Sequence, residues 1–301
     1  MKTNHSLENL AAAYGSRPKA ALRLLGFLSL IVLLVPVQFL CRWIKPEKPF
    51  YISQLFYRCV NRILGFKIRT HGTMSTTEPV LFVVNHTSYL DILILGSLIP
   101  AAFVAKADVA RWPIIGALAK MQNTIFIERR SSKIVGQKSH LQQHLSQQRS
   151  LILFPEGTSS NGQSVLPFKS ALFSIVEEPM DGFQIKVQPV SLTCVGLDNM
   201  PMTRSWRSFY AWYGDMTLVP HLWNMFGLGN FIMDIVFHPP VMPHDFSDRK
   251  ALALYCQKQV AQGVESSVSG RPLSFASLQQ SDLSPHSLPV SQAAGTYPAH
   301  E

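Results

Sequence analysis

From residue 67 onward, short β-rich apolar runs alternate with stretches of helical composition, and this rhythm constrains the fold more than any other feature. LFVV (81–84), AFVA (102–105), TIFIE (124–128), SLILF (150–154) and KVQPVSL (186–192) are the strand candidates. Between them fall helix candidates at 90–98, 108–121, 131–148 and 167–177. Strands that alternate with helices predict βαβ units. The runs are apolar at nearly every position, as expected of parallel strands covered on both faces. The expected fold is α/β: a mostly parallel sheet covered by helices, preceded by an N-terminal membrane-associated helical segment.

That preceding segment is set by LLGFLSLIVLLVPVQFL (24–40), which carries no charge. At 1.5 Å per residue it covers roughly 26 Å, just short of a bilayer's hydrocarbon core. Arg23 and Arg42 are expected to reach outward from its ends to headgroups. Pro36 is expected to kink it, which suits a tilted span or a re-entrant hairpin. Behind it, PFYISQLFYRCVNRILGF (49–66) places Phe50, Leu55, Phe56, Val60 and Leu64 at near-helical spacing. That pattern fits an amphipathic helix at the membrane interface, and equally a helix packed on the core.

Charge supports a membrane role. Only 15% of residues are charged against 47% hydrophobic, where soluble domains carry about 25% charged. Such a balance excludes a disordered chain. The net charge is +9, and almost all of the surplus lies in residues 1–80, flanking the apolar run. Basic residues around an apolar segment point to anionic lipid rather than nucleic acid. Beyond Gly263 the chain turns to Ser, Pro, Gln and Ala, the composition of a mobile tail. The expected organisation is a basic flexible N-terminus (1–19), an anchor helix with an amphipathic helix (20–66), a catalytic domain (67–262) and a disordered tail (263–301). Cys41, Cys59, Cys194 and Cys256 lack metal-ligand spacing, so a reduced chain without metal is expected.

Residues able to do chemistry cluster where strands end, as open α/β sheets place them. In NHTSYLD (85–91), His86 and Asp91 are about 140° apart on an ideal helix and cannot meet within one. They meet if His86 lies in the turn and Asp91 in the first helical turn. The imidazole then takes a proton from an alcohol while Asp91 fixes its tautomer. The same residues also fit a capping box, Ser88-x-x-Asp91, which needs no catalysis. In LFPEGTSSNG (153–162), Pro155, Gly157 and Gly162 build a turn, with Glu156, Thr158 and Ser159 at its mouth. It suits an oxyanion or phosphate site, or an ordinary strand-to-helix connection. Arg129 and Arg130 close TIFIERR, where an arginine can clamp an anion or remain solvated.

Taken together, NHTSYLD, IFIERR, FPEGTSS and VQPVSL resemble the four ordered blocks of the lysophospholipid acyltransferase family. The resemblance spans roughly residues 65–243. It implies transfer of a fatty acyl group from a thioester, acyl-CoA or acyl-carrier protein, to the free hydroxyl of a lysolipid, with no cofactor. It implies His86 as general base and Asp91 as its partner, with Arg129, Glu156, Gly157 and Thr158 positioning the acceptor headgroup. Pro189 falls in the block that shapes the donor site. Lys106 and Lys169 either help place the donor or are ordinary solvated lysines. The expected partners are the lysolipid acceptor, the thioester donor and membrane lipids, without nucleic acid, at the cytoplasmic face of a bacterial inner membrane.

The resemblance departs at one position. The family commonly carries Arg after Glu-Gly-Thr, and here that position is Ser159. The first expectation for the acceptor is 1-acyl-sn-glycerol-3-phosphate. The alternative is lyso-ornithine lipid, which has no phosphate. A non-catalytic, membrane-anchored lipid-binding protein is the competing class. The apolar stretch 220–231 is expected to line the acyl tunnel or touch the membrane.

Overall fold

The structure is a computed structural model, and it describes residues 14–44, 51–76, 79–112, 123–127, 134–177, 185–204 and 206–271, with Gly116, Ala119 and Lys120 between. Two helices come first, α1 (Arg17–Ile44) and α2 (Tyr51–Leu64). The sheet then builds through β1 (Lys67–Gly72), β2 (Val80–Val84), α3 (Asp91–Leu98), β3 (Ala102–Lys106), β4 (Ile125–Ile127), α4 (Ile134–Ser146) and β5 (Leu151–Leu153). It finishes with β6 (Lys186–Leu197), β7 (Met200–Pro201), α5 (Arg207–Tyr210), α6 (Leu218–Gly227), β8 (Phe231–Phe237) and α7 (Arg249–Ser269).

The strand order is β1-β8-β6-β2-β5-β3-β4, with β7 paired to β6. Pairings are parallel except where β6 meets β8 and β7. Both faces are covered, which explains the unbroken apolar runs. On β2, Val80, Phe82 and Val84 join the core beneath α1, α2, α3 and α6. Leu81 and Val83 join the opposite core beneath α4 and α7. Successive side chains point to opposite faces, so a doubly covered strand must be apolar throughout.

Helix α1 is one continuous element through Pro36, so no hairpin forms there. Over residues 17–38 it is long and apolar enough to cross a membrane. One side, with Leu24, Phe27, Ile31 and Leu34, packs on the core. The other leaves Leu22, Leu25, Val32, Leu33 and Leu40 exposed. Arg23 does not reach outward: its guanidinium donates to the carbonyls of Leu228 (2.8 Å) and Phe226 (3.3 Å), beside the end of α6. Those carbonyls lack partners within their own helix, so a cation there is doubly favoured. The side chain of Arg42 lies outside the described residues. Helix α2 buries Phe56, Tyr57, Val60 and Leu64, and Arg58 and Gln54 donate to the Ser97 and Leu98 carbonyls at the end of α3. Of the two expectations for α2, packing on the core is the arrangement found.

Four boundaries differ from the sequence reading. Helix α7 continues beyond residue 262 to Ser269, because Leu252, Cys256, Val260 and Val264 form a buried stripe with helical spacing. Residues 17–19, expected to be flexible, open α1, and the Ser16 N–H is bonded to the Gly227 carbonyl at 3.0 Å. In place of a helix over 167–177 a 3₁₀ segment runs Ser170–Val176. Its start is pinned by Lys169 N–H on the Pro155 carbonyl (2.9 Å) and Phe168 N–H on Gln257 Oε1 (3.0 Å). Within 108–121 the described part opens as a 3₁₀ turn, Ala107–Arg111. The remainder of the expected tail lies outside the described residues.

Candidate active site

Strand β2 delivers the first site segment at its C-terminal end, and parallel β5 delivers the second beside it. The turn between β2 and α3 is pinned to the sheet by Asn85. Its side-chain amide donates to the Leu192 carbonyl (2.9 Å) and accepts from the Leu192 N–H (2.8 Å), continuing the ladder with a side chain in place of a strand. His86 follows immediately, and the loop after β5 holds its backbone on both sides. Its N–H donates to Glu156 Oε1 (3.0 Å), and its carbonyl accepts from the Ser160 N–H (2.8 Å). The imidazole lies flat on Phe154, ring centres 4.2 Å apart and 22° from parallel.

Asp91 opens α3 and is fully buried. Its Oδ2 accepts from His86 Nδ1 (2.9 Å), the Thr87 N–H (2.8 Å) and the Ser88 N–H (3.0 Å). Its Oδ1 accepts from the Thr87 hydroxyl (3.2 Å) and from the Tyr210 hydroxyl (2.6 Å). The carboxylate ties down the turn before the helix and also grips the histidine, while the helix starts at Asp91 without a side-chain cap, so the reciprocal capping box is not the arrangement found. With Nδ1–H committed to Asp91, Nε2 is the ring atom left with a lone pair. The side chain is 21% exposed, enough for a substrate hydroxyl to reach it.

The loop after β5 departs from expectation at Glu156. Its carboxyl does not line the mouth of the turn; the residue is 2% exposed and holds the His86 backbone. Burial away from water pushes its pKa up to about 8, with the Asp91 charge adding to the rise and hydrogen bonds from His86 and Leu166 opposing it. Gly157 has φ +72°, and a Cβ on it would stand 2.7 Å from the Lys169 ammonium, so the lysine chain lies directly over the turn. Thr158 is exposed at the tip and Ser159 half-buried beside it.

Lys106 ends β3, at the same end of the sheet as His86, and its ammonium pairs with Asp108. Pro189 sits mid-strand in β6, in register with Val83, where the His238 N–H bonds its carbonyl at 3.0 Å. Arg129 lies outside the described residues. Among the described residues no group of His, Cys, Asp and Glu has the arrangement of a metal site. The stretch 220–231 forms most of α6 and leads into β8. His221 faces inward, where its Nδ1 meets the Tyr89 hydroxyl (3.0 Å) and its Nε2 the Phe209 carbonyl (3.2 Å). Trp223 and Val219 face outward.

Sequence reasoning missed Tyr210, Trp212 and the anchoring role of Asn85. The Trp212 N–H bonds the Thr87 carbonyl at 2.9 Å. Asn85 stood inside a motif already singled out, whereas Tyr210 lies 119 residues from its partner and carries no local signal.

Residues 66–193 match the Acyltransferase family. A lyso-ornithine lipid O-acyltransferase of Brucella abortus is 35% identical over 252 residues, 82% of this chain and 94% of its own length. A 1-acyl-sn-glycerol-3-phosphate acyltransferase of Neisseria gonorrhoeae is 35% identical over 95 residues, 31% of this chain and 37% of its own. The crystal structure of the 1-acyl-sn-glycerophosphate acyltransferase of Thermotoga maritima shares the fold, with TM-score 0.60 and 20% identity, covering 86% of this chain and all of that one. The chain belongs to the lysophospholipid acyltransferase family. It is an enzyme, and the reaction class is acyl transfer to a lysolipid.

Proposed function

We propose that this enzyme esterifies the free hydroxyl of a lyso-ornithine lipid with a fatty acyl group from acyl-CoA or acyl-carrier protein. The reaction chemistry is carried by one observation, the 2.9 Å contact between His86 Nδ1 and Asp91 Oδ2. In this reading His86 Nε2 accepts the proton as the acceptor hydroxyl attacks the thioester carbonyl. The tetrahedral intermediate collapses with loss of the thiolate, which the imidazolium protonates. A thioester is already activated, so no acyl-enzyme is needed.

The acceptor assignment is supported by coverage and by one residue. The Brucella relative named for lyso-ornithine lipid aligns over most of both chains, and the Neisseria relative named for 1-acylglycerol-3-phosphate over less than a third of this one. Ser159 stands where the family commonly carries arginine, which removes a cation suited to a phosphate. This reverses the first sequence expectation in favour of its alternative. Thr158, Arg129 and Lys106 are assigned to holding the acceptor headgroup and the donor. Helix α1 is assigned to the membrane through its exposed leucine and valine side, with the site at the cytoplasmic face of a bacterial inner membrane.

The test is acyl transfer from labelled acyl-CoA and acyl-carrier protein to a panel of lysolipids, with wild type and His86→Ala. Lyso-ornithine lipid is expected to be the fastest acceptor. His86→Ala is expected to lose about 10²–10⁴ in turnover while still sedimenting with membranes. Faster turnover of lysophosphatidate overturns the acceptor. Full activity in His86→Ala overturns the mechanism.

A further inference from the structure

Tyr210 closes the four-residue helix α5, remote in sequence from the catalytic turn yet in direct contact with it. Its hydroxyl donates to Asp91 Oδ1 at 2.6 Å, the shortest of the five hydrogen bonds on that carboxylate. The ring is 1% exposed and is held by Phe66 and Phe231, at ring-centre distances of 6.2 and 6.1 Å. Burial, reinforced by the neighbouring Asp91 charge, holds the hydroxyl pKa well above the ordinary phenol value, so the proton stays on oxygen and Tyr210 remains a donor. Two residues on, the Trp212 N–H ties the same segment to the Thr87 carbonyl at 2.9 Å. The α5 segment is thus fastened to the turn at two points.

We propose that Tyr210 is a positioning residue of this site, acting on His86 through Asp91. The proposal rests on His86 being the general base. A carboxylate that accepts a short hydrogen bond from a neutral donor has part of its charge neutralised, so it holds the imidazolium less tightly. Tyr210 thereby sets how strongly Asp91 grips the imidazole and keeps the carboxylate plane aligned with Nδ1. Tyr210 does not touch the reacting atoms. The titratable groups around the pair are Glu156 from the loop after β5, Cys194 from β6, Tyr89 from the turn itself and Arg207 from α5. Burial raises the first three, and Arg207 sits beside Cys194. All four remain in place when only the Tyr210 hydroxyl is removed.

Tyr210→Phe retains the ring and deletes the hydrogen bond. Its kcat is expected to fall about tenfold, the scale of one charge-assisted hydrogen bond, with KM for both substrates unchanged. The acidic limb of its pH–rate profile is expected to move to higher pH, because a less neutralised Asp91 holds the imidazolium more tightly. A second variant carries 3-fluorotyrosine at position 210, whose more acidic phenol is a stronger donor. Its acidic limb is expected to move the opposite way, and this substitution adds a single small atom, so it tests the idea even if the phenylalanine variant does not fold. A wild-type profile in both variants, with His86→Ala inactive, overturns the role of Tyr210 and leaves the base intact. An active His86→Ala overturns both.

Discussion

Asn85 pairs its side-chain amide with both main-chain polar groups of Leu192, at 2.9 and 2.8 Å, and this clamp fixes the level of the catalytic turn against β6. Both groups of Leu192 are deep in the sheet, so no water replaces the amide. Asn85→Ala leaves a buried N–H and a buried C=O unpaired, which costs about 2–4 kcal/mol at roughly 1–2 kcal/mol each. Chemical denaturation in detergent should show that loss, and kcat should fall with it because His86 is the next residue. Unchanged stability would mean that the bonds to Asp91, Glu156, Ser160 and Trp212 hold the turn without Asn85.

Asp91→Asn tests the other anchor. The amide nitrogen cannot accept from the Thr87 and Ser88 N–H groups that now share Oδ2 with His86. If Oδ1 alone turns to the imidazole, the tautomer survives but the charge that steadies the imidazolium is gone. Turnover is expected to fall about 10³–10⁴-fold, the scale seen when a buried aspartate behind a catalytic histidine is neutralised. Less than a tenfold loss would assign Asp91 to capping only.

Much of this arrangement is legible in the residues themselves. Continuous apolar runs identified β2, β3, β5 and β6 because both faces of the sheet are covered. Strand β1 was not readable, since KIRTHG is an exposed edge held by pairing with β8 rather than by its own apolar side chains. The His86–Asp91 pair was legible from spacing, because a turn followed by a helix brings positions five apart together. Glu156 was misplaced because a carboxylate in a Gly-Thr-Ser turn reads as exposed, and only the tertiary fold shows it turned under His86. Tyr210 was invisible because nothing in its neighbours' pattern points to a partner 119 residues away.

Glu156 gives the fold a pH signature. The folded chain keeps its proton up to about 8, whereas the unfolded chain releases it near the ordinary value of 4.5. Between about pH 5 and 8 this side chain therefore holds a proton in the native state that it has lost in the unfolded one, and its contribution to stability falls as pH rises through that window. Glu156→Gln keeps an oxygen for the His86 N–H and has no proton to lose. The difference in Tm between variant and wild type should grow in the variant's favour from pH 5 to pH 8. A constant difference would show that Glu156 is ionised in the folded protein.

Gly263 marks where the sequence reading ended the domain, and the structure makes it a contact point. A Cβ there would lie 2.2 Å from Ser191 Oγ and 2.7 Å from His238 Nε2, in the buried seam between α7 and the sheet. Alanine favours a helix over glycine by about 1 kcal/mol, yet forcing an atom into this seam costs about 1–3 kcal/mol. The clash is with two fully buried, mutually bonded side chains, 2.8 Å apart, that have nowhere to move. Gly263→Ala should therefore lower Tm, whereas a rise would mean that α7 is loosely docked beyond residue 262.

Ser159 offers a direct handle on the acceptor. It sits half-buried between exposed Thr158 and Ser160, whose N–H is fixed to the His86 carbonyl at 2.8 Å, so a side chain here stands within the catalytic loop. Ser159→Arg adds a guanidinium able to bind a phosphate through two parallel hydrogen bonds. The ratio of kcat/KM for lysophosphatidate to that for lyso-ornithine lipid should rise by about tenfold or more, equivalent to one charge-assisted contact. The gain should shrink as salt is raised, since the added charge is partly solvent-exposed. An unchanged ratio would place the acceptor headgroup away from this turn, and the cation that selects it would then have to be sought elsewhere around the ends of the strands.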